Sequence, residues 1–232
     1  MIPLRFVCRV PLILAALTLH ACATAQTYSA KPITATVVDA ETGKPLEGVN
    51  VVAHWQLHDR KTREPVGDLE LLETVTDKEG RFHFPGWEGK APPNVGPYET
   101  RLGNVDPWMF LFRSGYKPRS AVNPLQPDRL REENHTWERY SYWDGKVIKL
   151  EKFTGDLGSY AFFAGGTLMG VGIGLNCPWK KTPRFFASLI KERQRLDSLG
   201  IRSALPTLER IESNFKSNGC GSARDFFAEY LK

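Results

Sequence analysis

Aromatic side chains interleaved with arginine crowd one stretch of the chain, and they are the best candidates for a binding function. Aromatic rings give a large contact area and carry polar edges. Such a set suits a protein partner or the stacking of sugar rings. The alternative is that the rings pack on the protein's own core. The candidate binding residues are Trp87, Trp137, Arg139, Tyr140, Tyr142 and Trp143.

Two histidine patterns have the spacing of metal ligands, but neither completes a site. His135 and Glu138 form a His-x-x-Glu pair, and a zinc site needs a further protein ligand. No histidine follows His135 in the chain. His54 and His58 would lie about 13 Å apart on a strand, too far to share an ion. We therefore predict that the chain has no metal site, no catalytic residues and no cofactor.

A glycine-rich segment could be mistaken for a phosphate-binding loop. Gly170, Gly172 and Gly174 alternate with apolar residues, but the Gly-Lys-Ser/Thr ending of such a loop is missing. Close packing of the backbone is the simpler interpretation. An enzyme whose site assembles only in three dimensions stays open as an alternative.

The first 21 residues are typical of an export signal. Arg5 and Arg9 precede a short apolar run, which is too short for a comfortable membrane span. The run ends at Leu19-His20-Ala21-Cys22, which resembles the bacterial lipobox. That resemblance implies acylation of Cys22, a signal peptide over residues 1–21 and an outer-membrane lipoprotein facing the periplasm. Cleavage after Ala25, which would leave a soluble periplasmic protein, is the alternative. Residues 22–31 are predicted to be a polar tether.

The remaining cysteines agree with export. Cys8 leaves with the signal peptide and Cys22 takes the lipid, so that Cys177 and Cys220 remain as a pair. In an oxidising compartment an even pair predicts a disulfide. Two buried free thiols are the alternative.

Residues 33–84 carry the clearest pattern of secondary structure. Ile33 to Val37 and Val49 to Trp55 alternate with a period of two, which predicts strands. Thr42-Gly43-Lys44-Pro45 and Asp77-Lys78-Glu79-Gly80 have the composition of tight turns. The sequence therefore predicts β-hairpins here.

The layout Val-x-Asp-x-x-Thr-Gly-x-Pro-Leu-x-Gly-Val-x-Val, followed by Thr-Asp-x-x-Gly-x-Phe-x-Phe, spans Val37 to Val51 and Thr76 to Phe84. It resembles the carboxypeptidase regulatory-like domain. The resemblance implies a seven-stranded transthyretin/Ig-like β-sandwich over residues 32–153, closed by Val147–Glu151. It implies a fold and an accessory role, not an activity. Residues 86–107 and 116–146 are long insertions relative to a minimal domain.

Residues 154–232 change in character. Leu157 to Trp179 contains no charged residue but six glycines, which favours a buried segment covering the sandwich over a membrane span. Beyond Pro183 the apolar spacing is helical. We therefore predict an α+β protein in which a small C-terminal helical module follows the β-sandwich.

Composition and net charge limit the classes of function that the chain can have. The 232 residues are 41% hydrophobic and 25% charged, and the net charge of +5 falls by two when Arg5 and Arg9 are removed. This mild balance argues against nucleic-acid binding. The prediction is a non-enzymatic binding or scaffold module, attached to the membrane by its lipid, with an envelope protein as partner. The rival is a carbohydrate- or peptidoglycan-binding module, which should expose two or three coplanar aromatic rings.

Overall fold

The computed structural model describes residues 27–96, 99–103, 105–124, 136–168, 177–215 and 218–232. Strands occupy the chain as far as Leu150 and helices follow, so the protein is α+β overall, with more strand than helix. The described strands are β1 Thr27–Ala30, β2 Ile33–Asp39, β3 Asn50–Asp59, β4 Pro65–Val75, β5 Arg81–Phe84, β6 Trp87–Lys90, β7 Thr100–Leu102, β8 Trp108–Phe112, β9 Arg119–Ala121, β10 Thr136–Arg139 and β11 Val147–Leu150. The described helices are α1 Leu157–Leu168, α2 Pro178–Lys181, α3 Pro183–Ser198, α4 Leu208–Phe215 and α5 Ala223–Phe227.

Two three-stranded sheets form the first layer. Their orders are β11-β2-β5 and β10-β1-β6. Because β1 leads into β2, β5 into β6 and β10 into β11, the two sheets repeat the same strand order end to end. Pro32 and Pro85 stand at two of these junctions. Proline has no backbone N–H to donate, so a ladder is readily interrupted there.

The second layer is a five-stranded sheet. Its order is β4-β3-β8-β9, and β7 pairs with the far end of β3. Strand β3 is the central strand of this sheet, because it pairs with three other strands. Both of its faces are buried, which explains the unbroken run of buried residues from Val51 to Leu57.

A hydrophobic core lies between the two layers. The alternation of each strand supplies it, since side chains of one parity point to one face. Its members from the first layer include Ile33, Val37, Phe82, Phe84 and Ile148, and those from the second include Val51, Ala53, Trp55, Met109 and Leu111.

The predicted turns around Gly43 and Gly80 are confirmed. Both glycines have positive φ angles, 68° and 71°, which other residues adopt with strain. The carboxylate of Asp39 accepts hydrogen bonds from the backbone N–H groups of Glu41 and Thr42 at 3.0 and 2.8 Å. The first turn is thus held by its own aspartate, as Asx turns are.

A second core lies on the outer face of the five-stranded sheet. Val52, Phe110 and Phe112 point away from the first layer and pack against the helices. The rings of Phe112 and Phe185 are 6.4 Å apart, centre to centre. The helices therefore form a third layer that shares a core with the sheet. A separate C-terminal helical module is not confirmed, because the outward residues of β3 and β8 are themselves apolar and need a cover.

The strand count differs from the predicted seven. The structure has eleven described strands, and four of the additional short ones, β6, β7, β9 and β10, fall in the two segments predicted to be insertions. Strand β1 falls in the predicted tether, where Tyr28 and Ala30 are buried. Strands β7 and β9 pair with the longer β3 and β8, whereas β6 and β10 pair with β1, and these three have four residues each. Their own sequence shows too few alternations to reveal them.

Candidate functional site

The predicted aromatic binding residues do not form one continuous surface in the structure. Trp87 is half-buried against Trp55, with ring centres 5.5 Å apart. Trp143 is also half-buried, and its indole N–H donates to the carbonyl of Val122 at 3.1 Å. Tyr142 is the exposed one, at 42%. The rings of Tyr142 and Trp143 stand at 87°, so the two do not form a flat platform.

The other predicted binding residues lie in or beside β10. The backbone of Trp137 pairs with Tyr28 in the parallel ladder between β1 and β10. The guanidinium carbon of Arg139 lies 5.9 Å from the centre of the Tyr28 ring. The carbonyl of Tyr140 accepts a hydrogen bond from the amide of Asn123 at 2.7 Å. Arg139 and Tyr140 thus help to hold the end of the first layer together.

A cleft that the sequence did not indicate lies between two sheet edges. Strand β9 ends one sheet and β11 ends another, and the space between them has a volume of about 640 Å³. We call this space the edge cleft. It is lined by Lys117, Pro118, Arg119, Lys149, Leu150, Glu151 and Phe163.

Arg119 spans the edge cleft. Its guanidinium donates to the carbonyl of Lys149 at 2.6 Å, which joins β9 to β11. The same guanidinium lies 5.2 Å from the centre of the Trp143 ring, within the range of a cation–π contact. Trp143, a member of the predicted aromatic stretch, therefore positions Arg119 at the edge cleft. No pattern in the sequence had indicated Arg119.

Besides Arg119, the charged groups that line the edge cleft are two lysines and one carboxylate. The ammonium of Lys117 lies 2.6 Å from a carboxylate oxygen of Glu151. That hydrogen bond is the main reason why the pKa of Glu151 is lowered. Lys149 is exposed because the alternation of β11 turns it away from the core. Three cations against one carboxylate give the lining of the edge cleft a net positive charge.

The helix α1 supplies the apolar wall of the edge cleft. Phe163 lines it, whereas Tyr160, Ala161 and Ala164 face the protein's interior. The predicted burial of this segment is correct for one face of α1 only. Residues 169–176, which include the glycine-rich run, lie outside the described residues.

Two buried polar sites, the His54–Asp68 pair and Asp106, do not line the edge cleft. His54 and Asp68 form a pair with 2.6 Å between Nε2 and Oδ1, and both side chains are buried. The alternation of β3 predicts a solvated sheet face for His54, and this prediction is wrong because the imidazole is buried and paired with Asp68 of β4. Asp106 is also buried, and burial raises the pKa of its carboxyl to about 8, against the opposing charge of Arg139.

The metal patterns do not develop into a site within the described part of the chain. His135 lies outside it, and Glu138 is 3.3 Å from the ammonium of Lys31. The described residues include no cluster of three or more His, Cys, Asp or Glu side chains that could hold a metal ion.

The structure contains the predicted disulfide between Cys177 and Cys220. It links the residue before α2 to the segment before α5, where the Ser222 hydroxyl accepts from the Asp225 N–H at 3.1 Å. Cys22 lies outside the described residues, so its acylation stays a prediction. In the described ranges no helix combines the length and the apolar character that crossing a membrane requires.

No family model matches the chain, and the comparison with curated proteins finds no relative. Some solved structures match part of it at low identity. A 3-chlorocatechol 1,2-dioxygenase from Rhodococcus opacus 1CP is 19% identical with a TM-score of 0.30, over 56% of this chain and 62% of that one. A streptococcal ancillary pilin is 16% identical with a TM-score of 0.26, over 54% and 30%. The pilus 2b backbone protein of group B streptococcus is 16% identical with a TM-score of 0.24, over 53% and 42%.

The chain thus spans less than two thirds of the length of each of these proteins. None of them assigns the chain to a family. The resemblance to the carboxypeptidase regulatory-like domain is not confirmed and stays a prediction.

Proposed function

We propose that this protein is a non-enzymatic binding module of the bacterial cell envelope, built on a transthyretin/Ig-like β-sandwich. Acylation at Cys22 would hold it at the outer membrane, facing the periplasm. Its ligand is an anionic envelope component, which it holds at the edge cleft. The observation that carries the proposal is the convergence of Lys117, Arg119 and Lys149 on one cleft with an aromatic wall.

The cations in the edge cleft differ in how they are held. Lys117 is paired with Glu151, and Arg119 is fixed by the Lys149 carbonyl and the Trp143 ring. The ammonium of Lys149 is paired with no described carboxylate, so it is the group most available to an incoming anion. Charged hydrogen bonds are stronger than neutral ones, and a fixed arginine gives them direction.

A glycan platform is less well supported by the described positions. The exposed ring of Tyr142 stands perpendicular to that of Trp143, and Trp87 packs against Trp55. Stacking on a sugar needs coplanar exposed rings, and these three residues do not offer them.

The test is capture from detergent-solubilised envelope, followed by binding of the purified component. We expect Lys149→Glu to lose the component that the parent captures, because the variant replaces the available cation by an anion. Lys191→Glu, on the exposed side of α3, is the matched control and should retain it. Affinity for the purified component should fall several-fold between about 0.05 and 0.3 M salt, since exposed charges are screened. Identical capture by all three proteins would exclude the edge cleft as the site.

A further inference from the structure

Helix α1 presents an aromatic face to solvent. Phe162 is 84% exposed and Phe163 is 42% exposed, and Leu157 at the first turn is exposed as well. The helix has no acidic residue in its first turn and no basic residue in its last. Single exposed apolar residues are ordinary, but adjacent protruding phenyl rings on an uncharged helix indicate a contact surface.

This face adjoins the cations of the edge cleft. Phe163 belongs to both, and Lys117, Arg119 and Lys149 line the same space. Exposed aromatic rings beside lysine and arginine are the composition of surfaces that bind at the boundary of a bilayer. The rings enter the region below the headgroups, and the cations meet anionic lipid.

The length of chain before the first described strand favours a lipid surface as the occupant. Between the predicted acylated Cys22 and Thr27 there are four residues. Even fully extended, this connection spans only about 17 Å, less than the roughly 40 Å diameter expected for a body of this size. An anchored protein would therefore always keep the part of its surface around Thr27 within about 17 Å of the bilayer.

We infer that α1, through Phe162 and Phe163, docks on an anionic lipid surface while Lys149 and its neighbours contact the headgroups. This rests on the proposed function, because it names phospholipid headgroups as the anionic component at the edge cleft. It adds to the lipid anchor a second membrane contact made by the folded body.

The test uses the full chain with Cys22→Ser, which removes the predicted acylation, purified after export with its N-terminus determined by mass spectrometry. Flotation is measured with vesicles of phosphatidylethanolamine containing about a quarter phosphatidylglycerol, and with phosphatidylcholine vesicles, at about 50 mM salt. We expect binding to the anionic vesicles and at least roughly tenfold less to the neutral ones.

Three variants in the same background separate the contributions. Phe162→Ser combined with Phe163→Ser should lower binding roughly tenfold or more, because two rings no longer enter the bilayer. Lys149→Glu should lower it by about tenfold to thirtyfold at low salt. Leu199→Ser removes an apolar side chain that is 54% exposed but lies outside α1 and the edge cleft, and it should leave binding unchanged. Circular dichroism and an intact disulfide would show that each variant is folded.

The outcomes distinguish this inference from the proposed function. Loss with Lys149→Glu but not with the double phenylalanine variant would overturn docking through α1 and leave an anion site at the edge cleft. Equal loss with Leu199→Ser would show non-specific adsorption through exposed apolar residues and overturn the inference. Failure of the parent to bind anionic vesicles would also overturn the inference. Capture of a non-lipid component that depends on Lys149 would still support the proposed function.

Discussion

The fold strongly changes the acid–base chemistry of Asp106. Its side chain is buried at the end of the strands, close to Arg139 and to the backbone N–H groups of Gln56 and Gly103. Burial penalises the charged form more than these partners favour it, so the pKa rises to about 8. In the sequence Asp106 is an unremarkable loop residue before a proline, and nothing there distinguishes it from the exposed aspartates.

The raised pKa of Asp106 predicts a pH-dependent stability. The folded pKa lies above the unfolded value of 3.8, so its stabilising contribution is full below that value and is lost as the pH rises towards about 8. We expect Asp106→Asn to exceed the parent in melting temperature by a small margin near pH 5 and by a much larger one near pH 9.

Thermal unfolding followed by circular dichroism checks this expectation. Asp225→Asn, at the exposed start of α5, is the control and should shift the melting temperature equally at both pH values. If the melting temperatures of the parent and Asp106→Asn changed with pH in the same way, that result would contradict a raised pKa for the Asp106 carboxyl.

At the scale of elements, one carboxylate joins α3 to the sheet. Glu73 of β4 accepts hydrogen bonds from the backbone N–H groups of Arg184 and Phe185, at 3.1 and 3.0 Å. These N–H groups belong to the first turn of α3 and have no partner within the helix. Thr182, the residue before the helix, makes no side-chain cap of its own. A strand residue therefore replaces the local cap, and it does so at the positive end of the helix dipole.

We expect Glu73→Ala to lower the free energy of unfolding by about 1–2 kcal/mol, the usual cost of losing a helix cap. Urea denaturation of the purified protein measures this. Glu229→Ala, which changes an exposed carboxylate near the C-terminus, should cost less than about 0.5 kcal/mol. An equal effect of the two substitutions would show that Glu73 does not act as the cap of α3.

At the scale of the whole molecule, the disulfide and the helical layer act together. Cys177 and Cys220 are 43 residues apart, and the segment between them contains α2, α3 and α4. These helices cover Val52, Phe110 and Phe112, which would otherwise expose an apolar sheet face. The crosslink therefore keeps the cover of the second core closed.

Replacing both cysteines by serine should cost about 4 kcal/mol, because a loop of this length loses its constraint in the unfolded chain. Chemical denaturation of the double variant, compared with the parent in the presence and absence of reductant, gives the value. Reduction of the parent should reproduce the effect of the double variant. A parent whose stability does not respond to reductant would contradict a stabilising role for the crosslink.

The membrane attachment is a separate prediction for the whole molecule. We expect Cys22→Ser to move most of the protein from the membrane fraction to the soluble periplasmic fraction at physiological ionic strength. Fractionation of cells expressing the parent and the variant tests this. The weaker contact through α1 should appear only at low salt, because charge attraction to lipid is screened. Unchanged fractionation in a high-salt wash would refute acylation at Cys22.

By itself, the sequence was sufficient for features that depend on near neighbours. The turns at Gly43 and Gly80, the strands that flank them and α3 follow from local patterns, and all of them are present. The cysteine count and the predicted export were enough to predict the disulfide.

Only the tertiary structure decided where the edges of the sheets meet. Lys117 and Lys149 are 32 positions apart in the chain, and they line one cleft because β9 and β11 each end a sheet. The burial of Val52 on the outer face of β3 also depends on the helical layer, and the pairing of His54 with Asp68 depends on how β3 and β4 align. Local patterns specify turns and strands, whereas sheet order and layer packing arise from contacts between distant segments, and the candidate site is built from those contacts.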